Sequence, residues 1–135
     1  MIQRIQTIYL FIVTVLGILL CCFPVADAGD FTIKWGATIT FSGLSLLMPI
    51  VSLATIFLYK KRILQMRLCS FDIILNVLTL LLTALDVYLA HNTGNADIKL
   101  YWPVVIMPIN VILLYLAIRA IGKDEALVRS LDRLR

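Results

Sequence analysis

Charge is scarce in this sequence: Asp, Glu, Lys and Arg together make up 15% of 135 residues, and there is a single histidine. Soluble domains carry about 25% charged and about 45–50% apolar residues. Here apolar residues reach 61% and the mean hydropathy is +0.99, so there is too little polar surface to coat a globule in water. Cysteine is equally sparse. Cys21, Cys22 and Cys69 are odd in number and contain no CxxC pair, which excludes a disulfide framework and a zinc site by spacing. His91 has no Ser or Cys nucleophile paired with it, and there is neither a Gly-rich phosphate cradle nor an HExxH. The chain is therefore expected to have no catalytic residue, no cofactor and no metal, and not to be an enzyme. The formal charge of +4 comes from short clusters rather than a basic stripe with interleaved aromatics, so no nucleic-acid partner is expected.

What the sequence does have is four long apolar runs, at about 5–23, 37–59, 68–90 and 101–121. Each approaches or exceeds the roughly 20 residues that a helix needs to cross a hydrocarbon core. Backbone groups in lipid must be satisfied within the segment, so these runs are expected as helices. Pro24, the run His91-Asn92-Thr93-Gly94-Asn95 and Gly122 punctuate them. The fold class predicted is all-α: a single domain, 1–135, forming an up-down bundle of four transmembrane helices with a cytoplasmic tail over 122–135.

The cations orient the bundle. With the N-terminus inside, Arg4, Lys60, Lys61, Arg62, Arg67, Arg119, Lys123, Arg129, Arg133 and Arg135 are cytoplasmic, and only Lys34 and Lys99 lie outside. That bias predicts both termini in the cytoplasm. Trp35, Tyr88, Tyr101 and Trp102 then mark the outer interface and Tyr59 the inner one. A competing layout is a cleavable signal peptide, with Arg4, the first apolar run and Ala26-Asp27-Ala28 before Gly29. The run is longer than a usual signal core and Pro24 lies close to the cut, so it is read as a retained helix. A cleaved form would keep the other three spans.

Polar residues inside the third run carry the most information. Asp72, Asn76, Thr79, Thr83 and Asp86 are spaced four, three, four and three, which puts them on one helical face opposite Leu, Ile and Val. An ionisable group facing lipid costs about 2.5–3.5 kcal/mol at the helix centre, so this face is expected to point at other helices or at water. Asp72 and Asp86 are about 21 Å apart along the helix, each about a turn from an interface. Asp72 is expected to form an interhelical ion pair with Arg119, and Asn110 to bond Asn76, Thr79 or Thr83. On the second run Thr38, Ser42, Ser45, Pro49 and Ser52 form a small-residue face expected to pack on the third helix, with a kink at Pro49. Thr14 and Gly17 fit the same kind of close packing on the first helix.

The tail after Gly122 repeats leucine at 127, 131 and 134, and Glu125 and Arg129 are i,i+4 partners, which predicts a short amphipathic helix. Such a helix either lies on anionic lipid or docks a partner. The opening Met1-Ile2-Gln3-Arg4-Ile5-Gln6-Thr7-Ile8-Tyr9-Leu10 and the closing string from Lys123 to Arg135 resemble the ends of a small membrane-protein family of Bacteroidota, a domain of unknown function of the DUF4293 type. The resemblance runs over the whole chain, including Lys60-Lys61-Arg62 and Arg67-Leu68-Cys69. It implies an intact first helix, four spans and an inner-membrane location, and carries no catalytic or binding residues with it.

The expected function is an accessory or scaffold subunit of a membrane complex. Lys60, Lys61, Arg62, Arg67, Leu127, Arg129, Leu131, Arg133 and Leu134 would contact a membrane-protein partner, a second copy or anionic headgroups. The alternative is a small oligomeric channel or transporter built on the face from Asp72 to Asp86 with Asn110.

Overall fold

The structure is a computed structural model; the described residues are 2–27, 32–33, 39–92 and 98–134, without the side chains of 2–4, 32, 33, 39, 40 and 42. Lys34, Trp35, Thr38, the Thr93-Gly94-Asn95 turn and Arg135 lie outside them, as do the side chains of Arg4 and Ser42. Four helices dominate: α1 (Ile2–Cys22), α2 (Ile39–Phe57), α3 (Arg62–Asn92) and α4 (Ile106–Arg133). Helices α1, α3 and α4, over Ile5–Cys22, Arg62–Asn92 and Trp102–Arg133, are long and apolar enough to cross a membrane. In α2 the apolar run is shorter, Gly43–Phe57.

Each helix packs on two others. Helix α1 lies against α2 and α4, and α3 lies against the same two, so the four close into a ring with α1 and α3 across a diagonal. The bundle is apolar outside and polar within. Phe11, Ile18, Ile50, Leu53, Ile74 and Leu81 are exposed, while Asp72, Asn76, Thr79, Ser52 and Asn110 are completely buried. This inversion is the packing expected when the surrounding solvent is lipid, because exposed apolar side chains then lose nothing and polar ones must find partners inside. Two apolar clusters complete the interior: Leu20, Met48 and Met107 at one level, and Leu10, Leu114 and Ile121 at the other.

One end carries a feature that hydropathy did not announce. Residues from the two long connectors form a three-stranded antiparallel sheet of two-residue strands, β1 (Ala26–Asp27), β2 (Thr32–Ile33) and β3 (Lys99–Leu100), in the order β2-β1-β3. Ala26 pairs with Ile33 on one side and with Leu100 on the other, and Asp27 likewise with Thr32 and Lys99. The ladder extends through Tyr101 N–H donating to Val25 O at 3.0 Å. Ala26 and Val25 are buried over the ends of the helices. Phe23 meets Trp102 there with ring centroids 5.2 Å apart. Pro103 then opens a single 3-10 turn, Trp102–Val105, that leads into α4.

The other end corrects the tail. Gly122 does not stop the fourth helix: α4 runs unbroken to Arg133, so there is no separate short C-terminal helix. A glycine inside a helix costs only about 1 kcal/mol, and here that is offset by ion pairs just beyond it. Arg62, at the start of α3, reaches Asp124 at 3.3 Å and Glu125 at 3.9 Å. Glu125 also pairs with Arg129 at 3.1 Å, the i,i+4 pair expected from the sequence. Helix α3 likewise begins at Arg62, earlier than the apolar run at 68, and its 31 residues span about 46 Å.

Candidate functional site

The site is built from three buried side chains on α3 and α4. Four of the five residues expected on one face of α3, Asp72, Asn76, Thr79 and Thr83, are buried together, while Asp86 is half-buried at the edge. Two more belong to the same stripe. Gln65 and Cys69 continue the four-three spacing toward the start of α3, and both are buried.

The Arg62–Asp124 pair fixes how far α3 and α4 are shifted along each other. Moving fourteen residues inward from each brings Asn76 level with Asn110; moving ten brings Asp72 level with Leu114. This register removes the expected Asp72–Arg119 ion pair. Arg119 is five residues, or about 7 Å, from the level of Asp72. It is exposed on the α1 side of α4, where it lines a surface groove with Ile5, Tyr9 and Lys123. Asp72 is 0% exposed, and neither of its carboxylate oxygens has a hydrogen-bond partner among the described residues.

The amides beside it are similarly unfinished. Asn76 Nδ2 donates to Asp72 O at 3.0 Å, which leaves Oδ1 as its free atom. Asn110 bonds through neither Nδ2 nor Oδ1, so the expected bond to Asn76, Thr79 or Thr83 is not made. Thr79 and Thr83 cannot supply it as donors. Their hydroxyls bond back to Leu75 O and Thr79 O at 2.8 Å each, the usual arrangement for threonine inside a helix.

On the opposite side of the ring, α1 and α2 meet through small residues. Thr14 Oγ1 and Ser52 Oγ lie 3.0 Å apart, and Cys21 Sγ donates to Ser45 O at 3.3 Å. Between these contacts a Cβ added to Gly17 would sit 3.3 Å from both Cβ and Cδ of Pro49. The Ser45-Pro49-Ser52 face thus packs on α1, a neighbour that its hydroxyl content alone did not name. The glycine on α1 is what lets the proline ring approach. At the basic end, Gln6 Nε2 donates to Ala120 O at 3.1 Å and joins α1 to α4.

The cationic candidates divide. Arg62 is held by the two acids of α4, so it stabilises the bundle rather than standing free. Lys60, Lys61 and Arg67 remain exposed and line an open groove with Tyr59 and Leu64.

A family model described as Domain of unknown function (DUF4293) matches residues 2–134. The chain belongs to that family. The match takes in the polar layer, the sheet and the whole of α4, so each is part of this DUF4293 domain rather than an appendage to it. No curated protein and no solved structure matches the chain.

Proposed function

We propose that this protein is an accessory subunit of a bacterial inner-membrane complex, crossing the membrane four times, with the far end of α4 as its docking handle in the cytoplasm. The observation that carries this reading is the course of α4. Leu127, Leu131 and Leu134 are 51%, 64% and 84% exposed at the far end of a helix that runs unbroken to Arg133, with Leu134 at its C-cap. Leu134 stands about 15 Å beyond the level of Asp124. Continuity with a helix long enough to cross a membrane favours a partner over a flat lipid surface for these leucines. Their four-three spacing is that of a coiled-coil seam. With Arg129 and Arg133 beside it, the seam suits an amphipathic helix with acidic flanks on a membrane-protein partner.

The fourth crossing rests on α2, which runs beside α1 from the Cys21–Ser45 contact to the Thr14–Ser52 contact and presents Ile50, Leu53 and Phe57 outward. The orientation rests on the ten-to-two cation bias of the sequence; Lys60, Lys61, Arg67 and Arg129 flank the Arg62–Asp124 end, where Lys60, Lys61 and Arg67 would contact anionic headgroups. Protease added outside spheroplasts should leave the Arg129–Arg133 segment intact.

The docking reading is tested by replacing Leu127, Leu131 and Leu134 with Glu. These side chains are mostly exposed, so the thermal midpoint should move by no more than about 5 °C, in keeping with surface substitutions. Native pull-down in mild detergent should recover a stoichiometric membrane protein with the natural chain and none with the variant. Recovery of the same partner by both would sink the proposal. A second reading, a small oligomeric channel or transporter, is favoured by the unmet hydrogen bonds of Asp72, Asn76 and Asn110. Reconstituted vesicles showing a flux that Asn110→Leu abolishes would establish it.

A further inference from the structure

Counted by hydrogen-bonding capacity, the interior between α3 and α4 is out of balance. Asp72 Oδ1 and Oδ2, Asn76 Oδ1 and Asn110 Oδ1 are four buried acceptor atoms without a donor. Asn110 Nδ2 is the free donor among them. The orientation of Asn76 is dictated, because turning its amide over would set Oδ1 against the Asp72 carbonyl it now bonds. Neighbouring hydroxyls offer no remedy. Thr79 and Thr83 are committed to backbone carbonyls, and Thr14 and Ser52 each reach a carbonyl of their own helix, Leu10 O at 2.8 Å and Met48 O at 3.0 Å.

Charge is out of balance as well. Arg67 and Arg119, the cations closest along α3 and α4, are exposed, and Cys69, one turn from Asp72, is a free buried cysteine that brings no cation. Buried polar groups left unpaired are strongly disfavoured, and a buried carboxylate more so. A positive species that oxygen atoms coordinate would remedy both imbalances at once. A single carboxylate matches a single positive charge. Among the described residues no three His, Cys, Asp or Glu side chains converge, which leaves out the donor sets that transition metals prefer.

We propose that Asp72, Asn76 and Asn110 form an internal binding site for one dehydrated monovalent cation of sodium size. The carboxylate supplies the charge, and the two amide oxygens, level with each other on α3 and α4, complete the oxygen donors. A proton on Asp72 would supply a single O–H donor to one of these acceptors, whereas a cation could be shared by the carboxylate and both amide oxygens. The site stands apart from the docking handle, and equilibrium binding reports on it whether or not the protein transports anything.

The test uses the full-length protein in detergent, in sodium, lithium, potassium or choline chloride at equal ionic strength. The thermal midpoint should rise by several degrees with sodium, saturably, and not with choline. Equilibrium binding of radioactive sodium should approach one ion per chain. Asp72→Asn, which keeps the shape of the side chain and removes its charge, should abolish both the rise and the binding. Asn110→Ala should weaken sodium at least tenfold, and Asp86→Asn should leave it unchanged. Equal midpoints in sodium and choline would overturn the proposal, as would sodium binding retained by Asp72→Asn. A midpoint that follows pH but no metal cation would also overturn it and assign the site to a proton.

Discussion

Gly17→Leu should destabilise the purified protein by about 3 kcal/mol, the upper part of the range for forcing bulk into a packed interior. The reason is local. A bare Cβ at Gly17 already comes within 3.3 Å of the Pro49 ring, and a proline ring has no rotamer by which to withdraw. A leucine would have to push α1 and α2 apart over the stretch where Thr14 meets Ser52 and Cys21 meets Ser45. Gly17→Ala should cost about 1 kcal/mol, because a shift of a few tenths of an ångström accommodates one methyl group. Thermal unfolding in detergent, followed by circular dichroism, separates the two. Equal stability of Gly17→Leu and the natural chain would mean that α1 and α2 are not held at this spacing.

The second large effect is expected at the opposite end of the bundle. Arg62→Glu would place three acids together where Arg62 now meets Asp124 and Glu125. These side chains are between 15% and 22% exposed, sheltered enough for the reversal to cost about 2 kcal/mol. Asp124→Arg alone should also destabilise. Combined with Arg62→Glu, it should restore more than half of the loss, since the pair is remade in the opposite sense. The contact at 3.3 Å between Nε and Oδ2 is an ion pair without good hydrogen-bond alignment, so it tolerates this exchange better than a bidentate pair would. Losses that simply add would show that Arg62 and Asp124 act independently.

How far these features could be read from the residues depends on whether their cause is periodic or positional. The buried face of α3 was legible because lipid admits no alternative: Asp72, Asn76, Thr79 and Thr83 repeat at helical spacing, and three of them are completely inaccessible to solvent. The pairing of Asp72 was not legible. Spacing gives a residue's face but not the axial shift between two helices, and that shift follows from Arg62 reaching Asp124 across a long separation in sequence. Gly122 misled for a related reason. A glycine marks a helix end only when nothing beyond it is held, and Asp124 and Glu125 are held. The small residues of α2 were recognised as a packing face, yet their partner was α1. Hydroxyl content says that a close approach is possible and does not say to which neighbour. The sheet had no periodic trace at all, since two-residue strands are too short to alternate.

That sheet ties the order of synthesis to the closing of the bundle. Strand β1 carries hydrogen bonds on both edges: β2 comes from the same helical hairpin, but β3 is made only after α3 has been completed. A nascent chain that has delivered its first two helices therefore exposes one open β edge, which the second hairpin later fills. In the finished bundle β3 is the clasp that fastens the second hairpin to the first.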